Sequence, residues 1–595
     1  MSSLMIPGMI LVLGGLFIPL LPKGLRKGFA IILPFISCWQ MHALPLDYIL
    51  EAEMFGYALY PVRVDKLSLV WGYVFHLAAL LSVIYQLHVK DTLQDVSGLT
   101  YAGAAIGAAF AGDLVTLFVF WELTAITSVF LIYANRTERS AKVGTRYLII
   151  QVASGVILFF GILLWIQDQG QAIDLTFGNT YDPDGPWELT GMFVDANSGD
   201  PTSIAAYVIL FAFGIKAAFP FLHNWLQDSY PEGTATGTVF LSAFTTKLAI
   251  YALARGYAGC DMLVPIGLVM TLFPIFFAVI ENDLRKVLAY SLNNQLGYMV
   301  VGIGVGTQLA LNGAAAHAFA HIIYKGLLFM AMGAVLFRVG TTKANELGGL
   351  HKSMPITTIF CIIGSLSISG MPGFSGFVTK SMTLAAAFDW GNIILFFGLL
   401  VASAGVVDHS GIKIPFFAFF AHDSGKRCEE APKNMLIAMG IAAFFCIFLG
   451  IFPQPLYDIL PFEVRYDANG AEWHNYSASH IYTSFQLLFM AALAFVFFQK
   501  MKIYPDEITC TNVDTDVVYR RWFKGFFLIL GRNIDSIWNR TMGQIKDLIV
   551  SKVSKLGEHH RPNTTFGEPW PIGQAALWAA VFLAIIFVSG LSKIV

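Results

Sequence analysis

Charged residues are scarce in this sequence. Asp, Glu, Lys and Arg make up 13% of its 595 residues, against roughly 25% in a typical soluble chain. The sequence also lacks a basic excess, with 37 Lys and Arg against 39 Asp and Glu. It therefore lacks the positive field that a nucleic-acid-binding protein requires. Apolar residues instead reach 56%, so we expect the protein to be dissolved in a lipid bilayer.

Cysteines are few and widely separated. No two of them form a C-x-x-C pair, which argues against a disulfide framework and against an iron–sulfur or zinc cluster. We therefore predict neither a resident metal nor a cofactor. The six positions are Cys38, Cys260, Cys361, Cys428, Cys446 and Cys510.

Apolar runs long enough to cross a bilayer recur along the whole chain. A span needs about 20 apolar residues, and about sixteen such runs can be counted. The first, at 4–21, has no basic residues before it and no small-residue cleavage site, so we interpret it as a retained helix. The predicted fold is an all-α polytopic membrane protein with about sixteen transmembrane helices.

Loop charges give this bundle an orientation. Basic residues cluster at 23–27, 136–146, 285–286 and 338–352, which alternation places on one side of the membrane. The acidic loops at 168–202 and 453–479 fall on the other side, and between them they hold a single basic residue, Arg465. By the positive-inside rule both termini are predicted outside.

Two apolar segments are interrupted by helix-breaking residues. Gly214 and Pro220 flank Lys216, and the sequence SGMPGFSG at 369–376 comes just before Lys380. Interrupted helices in corresponding places favour two inverted five-helix repeats with a site between them. Ordinary Pro and Gly kinks without a repeat are the alternative.

Near the C-terminus, apolar residues recur at three- and four-residue spacing between about 516 and 557. This pattern predicts an amphipathic helix about 60 Å long, which would lie along the inner surface of the membrane. The predicted organisation has six parts. They are N-terminal transmembrane helices at 1–97, a first five-helix repeat at 98–257, a second at 258–420, peripheral helices at 421–500, the lateral amphipathic helix at 501–573 and a terminal span at 574–595.

Several ionisable residues lie inside the predicted spans. A charge at the centre of a helix costs about 2.5–3.5 kcal/mol on insertion scales, so each is a functional candidate. A buried lysine can release its proton, whereas a guanidinium stays charged. This series suits the movement of protons or cations. Its members are Glu122, Lys216, Lys247, His317, His321, Lys325 and Lys380.

Two subsets of this series invite a specific interpretation. A Glu122 carboxylate near Lys216 would favour the protonated lysine, so their separation could switch its proton on and off; a purely structural ion pair is the alternative. His317, His321 and Lys325 recur every four residues on one helical face and could relay protons. A zinc site is disfavoured, since HAFAH has no Glu and no third ligand is near. A packing role for His317 stays open.

The motifs that carry these residues resemble a known family. FVFWELTAITS, HAFAHIIYKGLLFMAMGAVL and ISGMPGFSGFVTK are similar to the proton-translocating antiporter family, which includes the Mrp-type sodium/proton antiporter subunits and the antiporter-like subunits of respiratory complex I. The resemblance covers about 60–455 and is greatest to the D-type subunit of the Mrp complex. It implies Glu122 and Lys216 as a charge pair, Lys247 with His321 as a central relay, and Lys380 as the distal proton site.

The resemblance also implies partners and a location. We expect other membrane subunits, a bacterial inner membrane, and exchange of protons for a monovalent cation such as Na⁺. The chain departs from the family at Asn293 and Asn294, at 408–413 (DHSGIK), and in its C-terminal extension. Two other hosts therefore stay open: a redox complex such as NADH:quinone oxidoreductase or a membrane hydrogenase, and an inorganic-carbon uptake complex. Any enzyme activity would belong to such partners.

Overall fold

The structure is a computed structural model that describes residues 6–54, 56–170, 173–178, 191–464, 473–505, 507–508, 512–562, 564, 567 and 571–591. Some residues of the predicted segments lie outside these ranges: residues 4 and 5 of the first span, parts of the two acidic loops including Arg465, and Cys510. The chain divides into two compact units, 1–512 and 513–595.

The first unit begins with two helices, α1 and α2, a β-hairpin and a third helix, α3. These elements are α1 Met9–Phe17, α2 Lys23–His42, β1 Ile49–Met54, β2 Tyr57–Arg63 and α3 Lys66–Tyr85. The strands are antiparallel, and Gly56 between them has a φ of 79°, a backbone conformation that glycine adopts without strain. The sequence pattern does not predict this hairpin.

The next run of helices includes the first predicted break. It consists of α4 Thr92–Ala109, α5 Leu114–Tyr133, α6 Glu138–Gln169, α7 Ile204–Ala217, α8 Asn224–Glu232, α9 Gly237–Ala243 and α10 Thr245–Gly256. The chain is interrupted between α7 and α8, as predicted, and again between α9 and α10, where no break was predicted.

A second run repeats this order. It consists of α11 Leu263–Ile280, α12 Leu284–Val305, α13 Gln308–Val339, α14 Pro355–Ser369, α15 Ser375–Asp389 and α16 Ile393–Val406, followed by π-helical turns at Val407–Ile412 and Phe416–Phe420 on either side of α17 Lys413–Pro415. The second predicted break is observed between α14 and α15.

The remaining helices complete both units. The first unit ends with α18 Lys433–Ile451, α19 Gln454–Tyr457 and α20 Ala478–Lys500, and the second unit holds a π-helical turn Val518–Phe523, α21 Lys524–Glu558 and α22 Ile572–Leu591. The predicted amphipathic helix is thus present as α21. None of its side chains is buried in the structure.

Nine helices among the described residues are long and apolar enough to cross a membrane. The protein is therefore a helical, multi-pass membrane protein, while the total of about sixteen spans stays a prediction. Two of the nine count consecutive elements as one span: Gly237–Gly256 joins α9 and α10, and Ile393–Phe420 joins α16, α17 and the two π-helical turns. The other seven are Lys66–Tyr85, Leu114–Tyr133, Glu138–Gln169, Leu263–Ile280, Gln308–Val339, Lys433–Ile451 and Ala478–Lys500.

The two runs begin their second helices in the same way. The side chain of Asp113 caps α5 by accepting from the backbone N–H of Thr116, and Asp283 caps α12 by accepting from that of Arg285. A side-chain oxygen at this position satisfies an N–H that has no partner within the helix. Each of the two aspartates also forms an isolated antiparallel bridge with a later loop residue.

Helix lengths match between the two runs as well. α4 and α11 both have 18 residues, α6 and α13 both have 32, and the broken α7 and α14 have 14 and 15. This shared order supports the predicted pair of repeats. Their inverted arrangement and the predicted domain boundaries stay predictions.

Candidate functional site

Lys216 is fully buried in the last turn of α7. Its ammonium group donates to the carbonyl oxygen of Trp121 at 2.5 Å and to the hydroxyl of Thr124 at 3.1 Å, both on α5. The same nitrogen lies 4.3 Å from the centroid of the Trp121 ring, which is cation–π geometry. A carbonyl, a hydroxyl and an aromatic face therefore hold this cation. Trp121 is uncharged and is not among the residues predicted from the sequence.

The end of α7 explains how Lys216 reaches this position. Ala218 caps the helix in the left-handed conformation (φ 62°, ψ 51°), and Phe221 also has a positive φ of 68°. The indole N–H of Trp225 donates to the carbonyl of Ile215 at 2.9 Å and so satisfies a carbonyl in the last turn. The C-terminal end of a helix carries partial negative charge, which stabilises a lysine there.

Glu122 lies on the same helix as Trp121, with its carboxylate packed against α6. A Cβ atom added at Gly155 would lie 1.3 Å from Oε1 of Glu122, so the absent side chain at Gly155 makes the space for this carboxylate. Oε1 is buried and accepts no hydrogen bond from any residue that the structure describes. Glu122 and Lys216 act on each other electrostatically, but the lysine makes its hydrogen bonds to Trp121 and Thr124 instead.

Lys247 lies just after the interruption between α9 and α10 and is fully buried. Its ammonium group donates to the carbonyl of Ser242 at 2.5 Å, so it caps a carbonyl next to the interruption. Its own carbonyl accepts the indole N–H of Trp71 at 2.9 Å, which ties α10 to α3. The neighbouring hydroxyl of Thr246 is buried, with no hydrogen-bond partner among the described residues.

His321 is the centre of the group. It is fully buried on α13, and within the described part of the chain neither ring nitrogen has a hydrogen-bond partner. Lys247, Lys325 and Lys380 all lie within electrostatic range of it. The predicted central and distal lysines therefore all lie within electrostatic range of one imidazole.

His317 lies one helical turn before His321, with the two ring centroids 6.1 Å apart. Its Nδ1 is 3.0 Å from the hydroxyl of Thr379 on α15, and its Nε2 is 3.4 Å from the hydroxyl of Tyr324, which donates to Gln295. His317 thus has hydrogen-bond partners on both sides, which fits a bridging role and a packing role equally.

Lys325 lies one turn beyond His321 and is also fully buried. Its ammonium group donates to the hydroxyl of Ser291 on α12 at 2.7 Å. That hydroxyl also accepts from Ser410 at 2.6 Å, so two helices meet α13 through a single oxygen atom.

Lys380 lies after the second break and is 4% exposed. Its ammonium group donates to the carbonyl of Ile368 at 2.7 Å, at the C-terminal end of α14, and lies 5.6 Å from the centroid of the Tyr298 ring. Lys216 and Lys380 therefore both lie at the C-terminal end of a helix and beside an aromatic ring. Lys216 belongs to the last turn of its own helix, α7, whereas Lys380 donates to the end of the preceding helix, α14. Equivalent chemistry therefore occurs at both breaks.

A cavity of about 430 Å³ opens beside Lys380. Its walls carry hydroxyl and imidazole groups, including Ser381, Ser403, His474 and His480. Such a lining can hold water next to the ammonium group.

These features define a class of membrane protein with several ionisable side chains buried inside a helical bundle. The family described as NADH:quinone oxidoreductase/Mrp antiporter, TM, matches residues 111–405. Every predicted relay residue lies inside this range.

Two relatives extend the likeness. The D-type subunit of the Na(+)/H(+) antiporter of Alkalihalophilus pseudofirmus is 30% identical over 366 residues, which cover 59% of this chain and 71% of the relative. The F(420)H(2) dehydrogenase subunit M of Methanosarcina mazei is 28% identical over 385 residues, covering 61% and 74%. The chain belongs to the NADH:quinone oxidoreductase/Mrp antiporter transmembrane family.

A solved structure supports the fold. A chain in the Mrp complex from Dietzia sp. DQ12-45-1b aligns with a TM-score of 0.73 at 20% sequence identity. The alignment covers 99% of this chain and 63% of that one.

Proposed function

We propose that this protein is a proton-translocating subunit of a multisubunit cation/proton antiporter, with Na⁺ as the expected cation. The observation that carries the proposal is the burial of Lys216, Lys247, His321, Lys325 and Lys380 within one bundle. Burying that many ionisable groups is costly, and proton movement gives each of them a use. The relative named as an Na(+)/H(+) antiporter subunit supports the same function.

The proton route in this proposal starts at the first break. Protonated Lys216 is held by the carbonyl and ring of Trp121, and Glu122 supplies a carboxylate that can take up or release a proton nearby. Movement of Glu122 relative to Lys216 would change how strongly the lysine holds its proton. This part of the site would act as the switch.

The route continues through the centre to the second break. His321 can take a proton on either nitrogen and lies within electrostatic range of Lys247 and Lys325. Lys380 would be the last fixed group, since the cavity beside it offers water as the next carrier. We place this cavity on the outer side, following the predicted orientation, in a bacterial inner membrane.

A redox complex is the second candidate host. The relative named as an F(420)H(2) dehydrogenase subunit favours it. The proton route would be the same in both hosts, whereas the partners that drive it would differ.

Transport by the assembled complex in everted membrane vesicles tests the proposal. Added Na⁺ should dissipate a preformed pH gradient in the wild type, and Lys216→Ala and Glu122→Gln should each abolish this response. Lys352→Ala is the matched control, because Lys352 is an exposed lysine paired with Asp423 at 2.8 Å, and it should transport normally. Normal transport by assembled Lys216→Ala and Glu122→Gln variants would overturn the proposed relay.

A further inference from the structure

The segment at 407–420, hereafter the π segment, has an unusual backbone. Two π-helical turns, Val407–Ile412 and Phe416–Phe420, lie on either side of Lys413. π-helical turns are rare and occur frequently at functional sites. The segment also brings His409 into an apolar span, where the relay described above does not use it.

A continuous chain of hydrogen bonds joins the π segment to the relay. Nδ1 of His409 lies 2.9 Å from the hydroxyl of Ser410. Ser410 donates to Ser291 at 2.6 Å, and Lys325 donates to the same oxygen at 2.7 Å. All four side chains are buried. Two hydroxyls therefore separate an imidazole from the ammonium group of Lys325.

The hydrogen-bond directions favour the Nδ1–H tautomer of His409. Since the hydroxyl hydrogen of Ser410 points to Ser291, its oxygen accepts from Nδ1–H of the imidazole. Nε2 of the neutral ring is then an acceptor, and it is buried without a hydrogen-bond partner among the described residues. An imidazole that donates from Nδ1 and has an acceptor at Nε2 can take up a proton on Nε2 and release the one on Nδ1.

Beyond His409, the π segment contacts the polar C-terminal end of α11. Lys413, one turn after His409, donates to the carbonyls of Val279 and Glu281 at 2.6 and 2.8 Å and pairs with Glu507 at 3.2 Å. The carboxylate of Glu281 pairs in turn with Lys286 at 2.8 Å. The Lys286 side chain is 28% exposed, so this charged cluster reaches from the buried segment to the surface.

We propose that His409 is a proton-relay residue that connects Lys325 to the charged helix end around Glu281 and Glu507, and so gives the second repeat its own proton access route. This inference rests on the proposed function, because it supplies protons to the same relay.

The transfer step conserves every proton. A proton arrives at Nε2 of His409, and the Nδ1 proton passes to the oxygen of Ser410. Ser410 releases its own hydrogen to Ser291, which in turn releases its hydrogen to the neutral amine of Lys325. This transfer leaves His409 with its proton on Nε2 instead of Nδ1. Return of that proton from Nε2 to Nδ1 by tautomerisation of the imidazole, rotation of the two hydroxyls and loss of the proton from Lys325 to the central cluster then restore the starting state.

Two variants of the assembled complex test this route in the vesicle assay. His409→Gln keeps a polar side chain of similar size that cannot carry a proton, and Ser410→Ala interrupts the hydroxyl chain. We expect the maximal transport rate to fall about tenfold or more in each, with the half-saturating cation concentration unchanged, because cation binding is not altered.

Ser365→Ala is the matched control. Ser365 is also buried, and its hydroxyl donates to the backbone carbonyl of Ser410 at 3.3 Å. Loss of this hydroxyl perturbs the same turn but leaves the hydrogen bonds from His409 through Ser410 and Ser291 intact. Its rate should stay within about twofold of the wild type. If it falls as far as Ser410→Ala, the π segment matters for packing and the route is wrong.

Lys216→Ala separates failure of this inference from failure of the proposed function. Loss of transport in that variant, with near-normal rates in His409→Gln and Ser410→Ala, would leave the function standing and refute the route. Normal transport in Lys216→Ala would refute both. If His409→Gln does not assemble, the comparison of Ser410→Ala with Ser365→Ala decides the matter.

Discussion

At the residue scale, the buried lysines are held by uncharged groups. Lys247 and Lys380 each donate to a backbone carbonyl near an interruption or the end of a helix. Lys216 instead donates to the carbonyl of Trp121 in the middle of α5. Residue type and apolar surroundings were enough to predict that these lysines are buried. Their partners could not be predicted, because any residue can supply a carbonyl and only the fold decides which one is near.

Gly155 offers a test of the carboxylate at the switch. Gly155→Ala would place a Cβ atom 1.3 Å from Oε1 of Glu122 and must displace that carboxylate. We expect Na⁺-driven proton movement in vesicles to fall about tenfold or more while the complex still assembles.

Gly326→Ala is the control for that substitution. A Cβ at Gly326, next to Lys325 on α13, would meet no atom within 4 Å. Since alanine also favours a helix, transport should be unchanged. Equal rates in Gly155→Ala and the wild type would show that the position of Glu122 is not critical.

At the element scale, the broken helices were predicted only in part. Gly214 and Pro220 indicated an interruption near Lys216, yet the residues that adopt positive φ are Ala218 and Phe221. Neither residue type favours that conformation, so tertiary packing must impose it. The interruption before Lys247 has no Gly or Pro at the break itself, and for that reason periodicity and composition missed it.

The backbone at Ala218 gives an element-scale prediction. Ala218→Val puts a β-branched residue into the left-handed conformation, which should cost about 1–2 kcal/mol and lower the thermal unfolding temperature of the purified complex. Ala218→Gly relieves the same constraint and should be tolerated. The conformational argument fails if valine and glycine unfold at the same temperature.

A buried ion pair joins α3 and α10 away from the relay. Arg255 donates twice to the carboxylate of Asp65, at 2.6 and 2.8 Å. Burial by itself would raise the pKa of Asp65, but Arg255 and then Arg63 hold that pKa below its ordinary value. Because the folded-state pKa is the lower one, this stabilisation is complete at neutral pH and is lost only as pH falls through the folded-state pKa.

Asp65→Asn should therefore destabilise the protein strongly. It removes the carboxylate charge that pairs with the buried guanidinium of Arg255. Breaking a buried ion pair typically costs about 3–5 kcal/mol, and thermal unfolding of the purified complex measures the effect. Asp423→Asn is the control, since Asp423 pairs with Arg427 and Lys352 at the surface, and it should leave the unfolding temperature unchanged. A small effect at Asp65 would mean that water or another group compensates Arg255.

At the scale of the whole molecule, helices near the C-terminus present exposed apolar side chains. Large apolar side chains are exposed along α20 and α21, for example Phe489, Leu493 and Trp538. Lipid covers such surfaces in some proteins and other subunits do so in others.

The amphipathic pattern predicted α21 correctly, whereas the hairpin at 49–63 was missed because its polar alternation is short.

Co-purification from the native membrane separates the possible hosts. We expect mild detergent to extract this chain together with other small membrane subunits and without flavin or iron–sulfur proteins. Flavin or iron–sulfur subunits in the same complex would instead identify a redox host, and a zinc-binding soluble subunit would identify a carbon-uptake complex. Either of those results would contradict the antiporter assignment while leaving the relay intact.

The central claim is that one proton relay crosses the whole bundle through Lys247. The most direct measurement is Na⁺-driven proton movement in vesicles that contain the Lys247→Met complex, because methionine keeps a long side chain but cannot carry a proton. The relay predicts that this movement is abolished while the complex assembles in normal amount. Wild-type rates in the assembled Lys247→Met complex would contradict it.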